Sequence, residues 1–89
     1  MNLIEACTEA RKQHKAVCRK IEEYKYLLYP TRDICAGTLL WSNKSYWAPR
    51  WEPDYDDLVN EDYELADLPA EPVEYYSSWS GRWMDVYDN

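Results

Sequence analysis

Apolar residues recur at three- and four-residue intervals from the start of the chain. Leu3, Ile4, Cys7 and Ala10 fall on one helical face, and Asn2 with Glu5 has the spacing of a capping box, so the pattern predicts a first helix from about residue 2. The same spacing runs on through Val17, Ile21, Tyr24 and Leu28 to Pro30, which would end one long amphipathic helix. Against this, His14 and Lys15 interrupt the face, and Ala16 to Arg19 equally suits the start of a strand. Periodicity leaves that choice open. Further along, the pattern takes on the character of strands and turns. Tyr24 to Tyr29 is aromatic-rich and directly precedes a proline, and Asp33 to Gly37 reads as a loop. Thr38 to Trp41 and Tyr46-Trp47 flank Ser42 to Ser45, a polar connection of hairpin length. Asp54 is placed to cap a helical turn through Leu58 and Val59, and Asp62 to Leu65 alternates as a strand. Asp67 to Pro72 is a semi-rigid linker. A second hairpin follows, Val73 to Trp79 and Arg82 to Tyr87 around Ser80-Gly81, with Tyr75, Trp79, Met84 and Val86 on one face.

Between the two hairpins the stretch from Trp47 to Trp51 stands apart. Pro49 and Pro53 remove backbone donors and fix φ, so this segment reads as an edge or loop carrying large flat side chains. At 89 residues the chain makes one small domain, which buries only roughly 60% of its unfolded surface and leaves oligomerisation as a natural remedy. Its aromatics are 5 Trp and 9 Tyr with no Phe, side chains that join apolar area to a polar handle. Charge is unevenly placed, +3 over residues 1–44 and −10 over residues 45–89. So acidic a chain repels nucleic acid as a polyanion, and no DNA partner is expected. Cys7, Cys18 and Cys35 are odd in number, lack a C-x-x-C pair and have only His14 as imidazole company, which argues for reduced thiols and against a metal site. No apolar run approaches the roughly 20 residues of a membrane span, and the amino terminus lacks a signal peptide's basic and apolar regions.

Nor does the sequence offer a catalytic constellation. The run Asp54, Asp56, Asp57, Glu61 and Asp62 gives no sign of a pair with separated pKa values, and two glycines cannot build a phosphate loop. No catalytic residue and no cofactor is expected. What remains is recognition of something flat and charged. Trp41, Tyr46, Trp47 and Trp51 are candidates to stack a base, with Arg19, Lys44 and Arg50 to answer a phosphate. Asp57 and Asp62 are placed to accept from ribose hydroxyls or an amine, although capping suits Asp54 and Asp57 better.

The order of residues carries a resemblance. An Asn-x-x-Glu-Ala helix start, Lys15-Ala16-Val17-Cys18-Arg19-Lys20, an aromatic Tyr26-Leu27-Leu28, and Trp51-x-Pro53 followed by Asp57-Leu58 and Asp62-Tyr63-Glu64-Leu65 resemble the Thoeris anti-defence 2 family of small phage and prophage proteins. The likeness covers residues 2–66, so it divides the chain into a core over residues 1–66 and a linker with a hairpin extension over residues 67–89. It departs after Arg19, where family members often carry a Trp and this chain has Ile21, Glu22 and Glu23. The resemblance implies an α+β fold, one helix on an antiparallel sheet, with Val17 to Lys20 a strand. It also implies a homotetramer with pockets between subunits, acting in the cytoplasm of the infected bacterium. Such proteins sequester a cyclic nucleotide immune signal, a cyclic ADP-ribose isomer or cyclic dinucleotide, without cleaving it. The expected ligand-binding residues are Arg19, Trp41, Tyr46, Trp47, Arg50, Trp51 and Asp62, with Trp47 to Trp51 as the ligand wall. Alanine at Arg19 or Arg50 is then expected to weaken binding far more than stability. The alternative reading is an acidic inhibitor that docks directly on a bacterial defence protein or nuclease.

Overall fold

The computed structural model describes residues 1–19, 26–42 and 45–88. Helix α1, Leu3–Gln13, starts at a complete capping box: Asn2 Oδ1 accepts from the Glu5 backbone, and the Glu5 carboxylate accepts from the Asn2 N–H. It ends where His14 turns left-handed at φ 54, with its N–H still bonded to the Ala10 carbonyl. That turn resolves the open choice. Past His14 the chain enters a strand, β1 (Ala16–Arg19), which holds Val17 and is buried at all four of its residues.

Three further strands, β2 (Leu27–Pro30), β3 (Thr38–Trp41) and β4 (Tyr63–Ala66), join β1 in an antiparallel sheet of order β3-β2-β1-β4. Strand β1 is an inner strand, its backbone paired with β2 on one side and β4 on the other. Residues 20–25, 43 and 44, and with them the expectations placed on Lys20, Ile21, Glu22, Glu23, Tyr24 and Lys44, lie outside the described residues. Of the first predicted hairpin, Leu40 and Ala48 exchange two backbone bonds of 2.8 Å, and among the described residues no longer ladder joins β3 to the segment from Tyr46 to Pro49. The register slips at left-handed Arg50, whose N–H goes to the Ala36 carbonyl while Trp51 N–H takes the Thr38 carbonyl that would face residue 50. Helix α2, Tyr55–Val59, begins at a second capping box, between Asp54 and Asp57.

The pleat sends alternate side chains to two separate cores. Val17, Leu28, Leu40 and Leu65 pack with Ala6, Ala10 and Tyr63 under α1. On the other face Tyr29 and Leu39, paired across β2 and β3, meet Ala36, Trp47 and Tyr75. Tyr75 comes from the tail. Strands β5 (Glu74–Ser77) and β6 (Arg82–Asp85) form the predicted second hairpin, and it folds back as the cover of this second core. Tyr75 pairs with Met84 and the two face inward with Val86, as the alternation predicted. Trp79 does not join them. The ladder stops at Ser77, so Trp79 falls in the turn, where Gly81 is left-handed, and the indole is 99% exposed.

Candidate functional site

Arg19 and Asp62 are brought together, but chiefly with each other. Arg19 ends β1 opposite Tyr63 and is only 8% exposed. Its Nε donates to Asp62 Oδ1 at 3.3 Å, and its Nη1 lies 3.6 Å from Asp57 Oδ1. With the Asn60 amide turned to satisfy both groups, its oxygen accepts from Arg19 and its nitrogen donates to Asp62 Oδ1 at 3.0 Å. Two phenols complete the cluster: Tyr26 donates to Asp57 Oδ1 at 3.2 Å and Tyr63 to the Asp57 carbonyl at 2.5 Å. Burial disfavours the Arg19 charge, yet the bonds to Asp62 and Tyr26 more than offset it and hold the pKa above its ordinary value. The same burial, aided by the Asp57 charge, pushes both Tyr26 and Tyr63 up to about 12. This is a clamp that ties α2 and its exit to β1.

Trp47 is also committed internally. It is 2% exposed, its Nε1 donates to the Ala70 carbonyl at 3.1 Å, and its ring packs against Trp41 at 5.2 Å and Tyr29 at 6.5 Å. The expected wall from Trp47 to Trp51 is therefore broken at its first residue, which serves as core. Trp51 is half-buried against the α1 core, 6.4 Å from Tyr26. Trp41 and Tyr46 keep part of their surface, and Tyr46 meets two tail residues, Tyr76 and Trp83, at 5.5 Å each.

Arg50 faces the other way. The backbone there is left-handed, φ 59, an unusual state for a residue with a Cβ. Two bonds to the β2–β3 region pin it: Arg50 N–H to the Ala36 carbonyl at 2.8 Å and Trp51 N–H to the Thr38 carbonyl at 2.9 Å. The side chain is exposed, and among the described residues its guanidinium makes no hydrogen bond or ion pair. It opens on a groove of about 520 Å³ whose walls include Cys35, Pro49, Tyr75 and Trp79. A cation and an exposed indole thus share one cleft between the segment before α2 and the tail hairpin, with Glu52 also in its wall.

Of the seven expected residues, then, two form a buried clamp, three line an aromatic region, and Arg50 alone opens on this groove. Trp51 sits on the first core. Trp79 and Trp83 were not among the expected residues, because both lie in the tail beyond the family-like segment. Among the described residues no group of three or more His, Cys, Asp or Glu is arranged to hold a metal ion, and no helix is long and apolar enough to cross a membrane. Comparison with protein-family models, with curated proteins and with solved structures returns no match.

Proposed function

We propose that the protein binds and holds an anionic nucleotide signal, a cyclic ADP-ribose isomer or a cyclic dinucleotide, and keeps it from an immune effector without cleaving it. One observation carries the reading: the exposed guanidinium of Arg50 and the exposed indole of Trp79 line the same groove. Arg50 supplies a charge-assisted contact to phosphate and Trp79 a face for a base. The residue order shared with the Thoeris anti-defence 2 family supports the same ligand class, and its place of action would be the cytoplasm of an infected bacterium.

Assembly is part of the proposal. Helix α2 buries none of its residues and presents Tyr55, Leu58 and Val59 to solvent, while Ile4 of α1 is 78% exposed. Apolar side chains of this size on a small acidic domain suit contacts between copies, and a homotetramer would bring further walls to the groove.

Calorimetric titration with a panel of cyclic ADP-ribose isomers and cyclic dinucleotides tests this. Loss of one charge-assisted contact of about 1.5–3 kcal/mol predicts that Arg50→Ala weakens binding roughly 10- to 100-fold. Trp79→Ala, removing a stacking contact of about 1–3 kcal/mol, gives at least about a fivefold loss. Neither changes the melting temperature. Wild-type affinity in both variants would contradict the site. Strongly salt-sensitive association with a basic protein, and none with the panel, would favour the docking inhibitor.

A further inference from the structure

The hairpin's outer face carries a second site of opposite character. Register pairs Tyr76 with Trp83 and Glu74 with Asp85, so alternation puts both pairs on the face turned away from Tyr75 and Met84. Tyr46 comes over from the core segment and closes a trio with them, ring centroids 5.4 to 5.5 Å apart and edges turned to faces. In each such pair the positive edge of one ring meets the electron-rich face of the next. A cavity of about 150 Å³ opens here, walled by Trp41, Tyr46, Trp47 and Trp83, with Glu71 and Glu74 at its margin. Among the described residues no arginine or lysine lines it.

The charges select the ligand. Glu71 is bonded to the His14 ring at 2.8 Å, which leaves Glu74 as the acid without a described partner. Glu74 stands directly across the ladder from Asp85, a like-charge pairing that destabilises a sheet. A bound cation would relieve it, and a phosphate would worsen it. The volume equals about five waters at liquid density, room for a compact group rather than a nucleoside. Aromatic faces with a neighbouring carboxylate are the standard chemistry for a cation whose charge is spread over methyl groups.

We infer that this aromatic pocket binds a methylated ammonium group, held by the faces of Trp41, Tyr46 and Trp83 and by the Glu74 carboxylate. The site is distinct from the Arg50 groove and does not rest on the nucleotide reading. Its headgroup has two possible sources, a free small molecule or a methylated lysine side chain of a protein.

Nuclear magnetic resonance titration of the full chain, following the tryptophan indole N–H signals, tests the pocket with tetramethylammonium, choline, the neutral choline isostere 3,3-dimethylbutan-1-ol and a trimethyllysine peptide. Tetramethylammonium and choline should shift the Trp47 and Trp83 signals, and choline should bind about tenfold or more tightly than its neutral isostere. Glu74→Gln should weaken choline several-fold, and Trp83→Leu should abolish binding. Glu74→Gln also removes the like-charge pair with Asp85 and should not lower the melting temperature, whereas Trp83→Leu gives up two ring contacts and is read at a temperature where the variant is folded. Tighter binding of the peptide assigns the headgroup to a protein, and tighter choline to a small molecule. Equal affinity for the neutral isostere, no shift with any cation, or full binding by folded Trp83→Leu would overturn the inference.

Discussion

At the scale of single residues, two arginines that look alike in the sequence do opposite work. Arg19 lies within a clamp of Asp57, Asn60 and Asp62, so removing it takes the guanidinium from the largely buried carboxyl of Asp62. Breaking a buried pair from one side costs about 3–5 kcal/mol. Arg19→Ala is therefore expected to lower stability by about that amount in denaturant unfolding, contrary to the expectation that ligand binding suffers first. Wild-type stability in that variant would remove the clamp from the account. Arg50, by contrast, holds a left-handed backbone that glycine adopts freely. Arg50→Gly should match or exceed wild-type stability by up to about 1 kcal/mol while losing ligand affinity as the alanine variant does. A fall in stability would show that the side chain is needed for the fold. The sequence named both arginines as polar candidates in an aromatic setting. It had no means of showing that the turn after α2 folds its carboxylates over Arg19, because those contacts join residues about forty positions apart.

Among the elements, the tail hairpin is the one whose importance the sequence understated. Its turn and the inward set Tyr75, Met84 and Val86 were legible from alternation. Trp79 was misplaced because alternation holds only while the ladder continues, and the ladder ends at Ser77. The helix start, the two caps and the strand at Tyr63 were likewise readable from local chemistry, whereas the end of α1 depended on a left-handed histidine that carries no glycine signal. The fixing of the tail was not readable at all. Tyr87 N–H donates to Asp33 Oδ2 at 2.8 Å, while Asp33 Oδ1 accepts from Cys35 and Ala36. Asp88 reaches Arg11 and the Arg32 N–H. The backbone bond from Tyr87, followed by those from Cys35 and Ala36, holds the Asp33 carboxyl below its ordinary value. A depressed carboxylate contributes stability above its unfolded pKa and loses it as pH falls through the folded one. Acid should thus loosen the tail in a window below the ordinary aspartate range near pH 4. Asp33→Asn, which lacks that titration, should flatten the acid limb of the melting temperature against pH. An unchanged limb would assign the acid response to other carboxylates.

At the scale of the whole molecule, two cores on opposite faces of one four-stranded sheet make an 89-residue α+β domain with a radius of gyration of 12.4 Å, close to the roughly 12 Å of a compact chain this long. High alkali opposes it. Tyr26 and Tyr63 are raised to about 12, so unfolded phenols ionise from about pH 10 while these stay neutral. Their contribution is complete below pH 10 and lost as pH rises through 12. With a net charge of −7 and Glu52 in the wall of the same groove, the proposed anion site depends on the position of the Arg50 guanidinium and on a preformed backbone rather than on the total charge. A groove that captures a nucleotide signal without cleaving it must return it unchanged. The direct measurement is to incubate purified protein with a mixed panel of cyclic ADP-ribose isomers and cyclic dinucleotides, wash, release by heat and weigh what emerges by mass spectrometry. One intact nucleotide should emerge from wild type and little from Arg50→Ala; an empty release, or a chemically altered product, would rule out capture without cleavage in this groove.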